Sequence, residues 1–92
     1  MFIIANHTIQ DPDAFWSIIK KGSETGLIPA HLKLHGMFPS TTSLRSICLW
    51  EAESPEDVNK FLRQTFGDIS KDELFEVNQE VAVGLPVVAK AV

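Results

Sequence analysis

Residues 46–62 read SICLWEAESPEDVNKFL, and the fold turns on how this stretch divides. Its first half, Ser46 to Ala52, is short, rich in β-formers and free of helix signals, so it reads as a strand. Its second half opens with Ser54-Pro55-Glu56-Asp57. That combines a capping serine, a proline at the first helical position, where no N–H partner is needed, and two acids facing the positive end of the helix dipole. Val58, Phe61, Leu62 and Phe66 then repeat at helical spacing as one apolar face, and Gly67 ends the run. A strand handing over to an amphipathic helix within one short connection is the α+β signature from which the remaining elements are placed.

Upstream, Pro39-Ser40-Thr41-Thr42 is a turn. It separates a strand over about His31 to Phe38 from one over about Ser43 to Ala52. Before it, Asp11-Pro12-Asp13 starts a first helix. Phe15, Ile18 and Ile19 form its apolar stripe, Lys20 and Lys21 suit its negative end, and Gly22 can close it. A first strand covers about Phe2 to Thr8. Downstream, Ser70 to Glu73 reads as a short helical turn, and a last strand runs from about Leu74 to Val83, with Phe75, Val77, Val81 and Val83 alternating against polar neighbours. The order is βαββαβ. Domain and tail divide at residues 1–86 and 87–92, the tail being frayed or docked on a partner.

Facing strands must agree on the buried side. Pairing Phe38 with Ser43 sets Leu34 against Ile47 and Leu32 against Leu49, an apolar face for the helices to cover. The other side then carries His31, Lys33, His35, Ser46, Cys48 and Trp50. A surface with a tryptophan and several polar groups calls for a cover, and a second copy of the sheet would supply it.

The chain of 92 residues carries a formal charge of −4, unevenly spread. Residues 1–46 hold three acids against four bases, and residues 47–92 hold nine acids against four bases. There is no basic stripe, so neither nucleic acid nor an anionic membrane surface is an expected partner. Cys48 is the single cysteine, which excludes an internal disulfide and a Cys-rich zinc site. The start MFIIANHTIQDPD lacks the features of a signal peptide, and a cytoplasmic location is expected. Gly-rich phosphate loops, Cys-x-x-Cys pairs and RNA-recognition aromatics do not occur, and no cofactor is implied.

Five residues are candidates for chemistry. His7 and Asn6 end the first strand where it can open into the space between sheet and helices. The imidazole there could act as acid or base and Asn6 could orient a carbonyl, or both could satisfy backbone groups in the turn toward Asp11. His31 and His35 share a strand face, but four residues of strand span about 13 Å, too far to ligate one ion unaided. The alternative is histidines hydrogen-bonded at an interface. Trp50 could stack on a flat ligand or pack a dimer. Cys48 could be a nucleophile given a base, and His31 or His35 would lie on its diagonal at roughly 7–8 Å between backbones; its other reading is a small apolar strand residue.

This order, together with FIIANH, SICLWEAESPEDVNKFL and LFEVNQEVAVGLP, resembles the dimeric α+β barrel superfamily over about residues 1–86. The resemblance implies a ferredoxin-like sandwich with strand order 4-1-3-2, two sheets facing each other in a homodimer, and Glu76 or Glu80 near the partner's second strand with Lys33 or His31. Members include cofactor-independent monooxygenases, haem-degrading enzymes, isomerases, metal-binding proteins and proteins without known activity, so fold alone does not select a function. The leading expectation is a small-molecule-binding protein, monooxygenase- or isomerase-like, using Asn6, His7, His31, His35 and Trp50. The alternatives are a metal-binding protein using His7, His31 or His35, and a non-catalytic assembly or regulatory module.

Overall fold

The computed structural model describes residues 1–86. The expectation for the tail, residues 87–92, lies outside them. The elements follow in the order β1 (Phe2–Ile9), α1 (Pro12–Thr25), β2 (Lys33–Pro39), β3 (Arg45–Glu51), α2 (Pro55–Phe66), a single 3₁₀ turn (Gly67–Ile69) and β4 (Ser70–Glu76). All ladders are antiparallel and the sheet order is β2-β3-β1-β4. This is the expected βαββαβ ferredoxin-like arrangement.

Both helix starts are built as the residues dictate. Asp11 accepts a hydrogen bond from the Ala14 N–H, Ser54 accepts one from the Asp57 N–H, and a proline follows each cap. The end of α1 differs from expectation. Gly22 does not stop the helix; Leu27 folds back over it, and Gly26, in the left-handed region at φ 73°, is the cap. The gap left by the missing Cβ of Gly22 is used for close packing rather than for a turn.

The core lies between the helices and one sheet face. Ile3, Ala5 and Ile9 of β1 and Cys48 and Trp50 of β3 meet Phe15 of α1 and Val58, Leu62 and Phe66 of α2. Phe15 stacks on Phe66 with centroids 4.5 Å apart and meets Trp16 edge-on at 4.8 Å; Trp50 meets Phe61 edge-on at 5.8 Å. Such aromatic pairs add roughly 0.5–1.5 kcal/mol each beyond their burial.

The hairpin register is corrected. Pro39 pairs with Ser46, Phe38 with Ile47 and Met37 with Cys48. Between Leu34 and Gly36 the ladder shifts, leaving His35 in a bulge. Leu32 and Leu34 face inward as expected, but the bulge reverses the alternation, so Met37 rather than Gly36 follows them inward. On β3 the faces are the reverse of the expectation: Ser46, Cys48 and Trp50 are buried beneath the helices, while Ile47 and Leu49 lie on the open side. The slip goes with the turn, where Ser43 takes φ 61° and β3 pairs with β2 only from Ser46.

The last strand is also shifted. β4 starts at Ser70, where a helical turn was expected, and stops at Glu76. Val81 and Val83 lie beyond it and are exposed. The pairing of His7 with Asp72 and Ile9 with Ser70 carries β4 alongside the full length of β1.

Candidate functional site

Strand alternation sends Ile3, Ala5, His7 and Ile9 of β1 toward the helices. His7 is the polar member of that row, and it is 1% exposed. Its neighbours in the sheet are fixed by register: Ser46 on the β3 side and Asp72 on the β4 side, with Cys48 one inward position from Ser46. The His7 Nδ1–H donates to Asp72 Oδ1 at 2.5 Å. The same carboxylate oxygen accepts from the Ser70 hydroxyl at 2.9 Å. Asp72 is thereby held by its own strand and holds the ring in turn.

Burial would lower the His7 pKa, but the Asp72 carboxylate on Nδ1 and the Cys48 thiol beside the ring outweigh it and raise the value from 6.5 to about 9. At neutral pH the ring is an imidazolium, a proton donor inside an apolar layer.

A cavity of about 140 Å³ opens beside it, between the sheet and both helices. Its walls are His7, Cys48 and Trp50 from the sheet, Leu34 and Met37 from β2, Phe15 and Ile19 from α1, and Phe61, Leu62 and Phe66 from α2. Gly22, Ser23, Leu27 and Ile28 also border it, and the last two are partly in solvent, which marks this end as the mouth. A cavity near this size accepts a benzene-sized guest when its walls are apolar. Two buried side-chain atoms on this side of the sheet have no hydrogen-bond partner, Trp50 Nε1 and Ser46 Oγ. On its far side Asp72 borders a polar surface cleft with Asn59, Arg63 and Lys71. The His7–Asp72 pair therefore spans from the apolar cavity to water.

Of the five sequence candidates, the structure brings His7 and Trp50 together on the cavity wall. Asn6 faces the opposite side of the sheet, where its Oδ1 accepts from the Arg45 guanidinium at 2.9 Å. His31 lies in an exposed turn ahead of β2, beside Glu53 and Lys33. His35 sits on the bulge of the open side, its Nε2–H donating to Glu51 Oε1 at 2.7 Å and its ring 5.4 Å from that of Phe2. Neither His31 nor His35 reaches Cys48 as a base; that neighbour is His7. Among the described residues no three or more His, Cys, Asp or Glu side chains gather in a metal-binding group. Sequence reasoning missed Asp72, because residues 70–73 read as a helical turn. The signal was a carboxylate on the inward parity of a strand running beside β1, visible only once that strand starts at Ser70.

No helix among the described residues is long and apolar enough to cross a membrane. No protein-family model, curated protein or solved structure matches the chain.

Proposed function

We propose that this chain binds a compact, largely apolar small molecule in the cavity between sheet and helices and moves a proton on it through His7, in the manner of a cofactor-independent isomerase. One observation carries the reading: a buried imidazole, oriented by Asp72, on the wall of an otherwise apolar cavity. Burying a polar group costs free energy unless it is satisfied, and a histidine serving only the core would be cheaper as a leucine. With Nδ1 committed to Asp72, the remaining ring nitrogen gives its proton to the guest's carbonyl oxygen, and the ring so neutralised takes up the α-proton, which leaves the enol and restores the imidazolium. Trp50 lines the same wall, and its Nε1–H is buried and unpartnered, a second donor left for a guest. The guest that matches this lining is about the size of a single ring, with one oxygen acceptor on an apolar body.

The same reading makes the protein a homodimer of the dimeric α+β barrel kind. The open sheet face carries Phe38, Ile47 and Phe75, all exposed, with Ile4 and Leu49 half-buried among them. Phe38 is 64% exposed and Phe75 56%. An apolar strip across all four strands is unlike a solvated face, and a second sheet covers such a strip. Polar pairs flank it, Arg45 with Asn6 and His35 with Glu51, as a rim would.

The test is a titration with cyclohexanone followed by NMR of the His7 ring and the Trp50 indole N–H, with exchange of the ketone α-protons for deuterium read in parallel. Saturable shifts at both residues, with exchange lost in His7→Gln, are expected. Shifts absent from both residues would refute the binding site, and exchange unchanged in His7→Gln would refute the proton transfer.

A further inference from the structure

The cavity wall holds a second reactive group that proton transfer does not use. Cys48 is 1% exposed to bulk solvent yet borders the cavity, and its thiol lies beside the His7 ring, which Asp72 orients from the other side. The register explains the grouping. Asp72 is directly opposite His7 on β4, and Cys48 is diagonal to it on β3, all three on the inward side of the sheet. A thiol, an imidazole and a carboxylate in that order are a nucleophile, its proton partner and the group that aligns the partner. Two places further along β3, on the same face, stands Trp50 with its unpartnered Nε1–H.

We infer that Cys48 is a nucleophile toward the cavity's guest, adding reversibly to compact α,β-unsaturated carbonyl compounds, with His7 handling the proton and Trp50 receiving the carbonyl oxygen. This rests on the binding reading above and names the substrate class for that site. Addition suits the cavity better than acyl transfer. A volume of about 140 Å³ holds one ring-sized body, whereas acyl transfer must seat an acyl group, a leaving group and then water. In the step, a bond forms between Cys48 Sγ and the β-carbon of the guest. The π electrons of the C=C bond shift toward the carbonyl oxygen, which the indole N–H stabilises. The His7 imidazolium gives the proton of its free ring nitrogen to the α-carbon and takes the thiol proton in its place, so the ring ends as it began. Nothing leaves and no oxidant or reductant is consumed. The apolar wall strengthens every charge interaction that develops within it as the bond forms.

Cyclohexenone is the probe, followed by intact mass and peptide mapping under native conditions and in urea. The chain has no other cysteine, so the thiol adduct has one address. Native protein is expected to form a single adduct at Cys48, with a rate that saturates in probe and exceeds that of the urea-unfolded chain by about tenfold or more. Cyclohexanone should compete, and Asp72→Asn should slow addition by roughly tenfold while cyclohexanone still binds. A native rate at or below that of the unfolded chain would overturn the inference without any variant having to fold. So would an Asp72→Asn protein that is folded and reacts at the wild-type rate. Cyclohexanone binding separates the two readings. If it shifts His7 and Trp50 but cyclohexenone does not add, only the nucleophile falls; if it does not bind, both fall.

Discussion

Asp72 Oδ1 and His7 Nδ1 stand 2.5 Å apart across the β1–β4 ladder, both on the helix-facing side of the sheet. The contact spans 65 positions of chain, so it exists only when the last strand has docked beside the first. It joins the assembly of the sheet to the charge state of the cavity.

Stability should therefore fall on the alkaline side. The folded pKa of His7 is about 9 against an ordinary 6.5. A raised value means that the folded state holds the proton more tightly than the unfolded chain. The resulting stabilisation is fully present below the ordinary value and is lost as pH rises from there through the folded one. Its size is on the order of 3 kcal/mol, a large share of what a domain this small has to spare. Urea midpoints measured across that window should decline steadily, and Asp72→Asn should flatten the decline. A wild-type midpoint that stays level would show that the pair carries no such charge.

Removing Phe15 should both weaken the fold and enlarge the cavity. Its ring is buried, stacks on Phe66, touches Trp16 and forms part of the cavity wall. Phe15→Ala is expected to cost about 3–5 kcal/mol, the range for an aromatic lost from a core. If the space stays open, guests larger than one ring should then bind where the wild type refuses them. Thermal unfolding with and without a two-ring ketone reads both effects. A loss under about 1 kcal/mol would mean that the aromatic cluster is not the keystone of the packing.

How far the chain could be read turns on which face each strand shows. The helices were legible because their ends are chemical: Asp11-Pro12 and Ser54-Pro55 satisfy N–H groups in a way few other residues can. The topology followed from element order. The faces of β3 were not legible, because Ile47 and Leu49 are as apolar as Cys48 and Trp50, and alternation offers no contrast when both sides of a strand are hydrophobic. In β2 the bulge at His35 breaks the period of two, which no single residue announces. Of the residues around the cavity, His7 and Trp50 stand out as an imidazole and an indole on strands, although the expected alternation of β3 puts Trp50 on the opposite face. Asp72 was lost because Asp is a poor strand former and Ser70 to Glu73 read as a short helical turn. Asn6 was misplaced by adjacency: neighbours along a strand point to opposite sides.

The apolar strip on the open face should hold two copies together. Ile47→Glu puts a charge at its centre, opposite Phe38 on β2 and Asn6 on β1. Ile47 points away from the core, so the monomer should keep its helices and its cavity. Sedimentation is expected to show a dimer for the wild type and a monomer for Ile47→Glu, with unchanged far-ultraviolet dichroism. A wild type that sediments as a monomer at high concentration would remove the homodimer from the proposal while leaving the cavity chemistry standing.

Two glycines near the cavity mouth should respond to alanine for different reasons, and the contrast tests the packing there. Gly22 lies inside α1, where alanine would ordinarily gain up to about 1 kcal/mol in helix propensity. A Cβ at this position, however, would stand 2.9 Å from both Cβ and Cδ2 of Leu27, closer than such atoms approach. Overpacking of that kind costs about 1–3 kcal/mol, so the clash outweighs the propensity and a net loss of about 1 kcal/mol is expected. Leu27 is 41% exposed, so the loop has room to move, and its displacement should widen the mouth and speed the release of bound cyclohexanone. At Gly26 no atom lies within 4 Å of an added Cβ, but φ is 73°. Gly26→Ala should then cost about 1 kcal/mol through the backbone alone, with guest release unchanged, and Gly26→Asn should cost less because asparagine tolerates this region. Urea unfolding gives the stabilities and NMR line shapes of the ketone give the release rates. A Gly22→Ala protein more stable than wild type would show that Leu27 does not close over the helix as described.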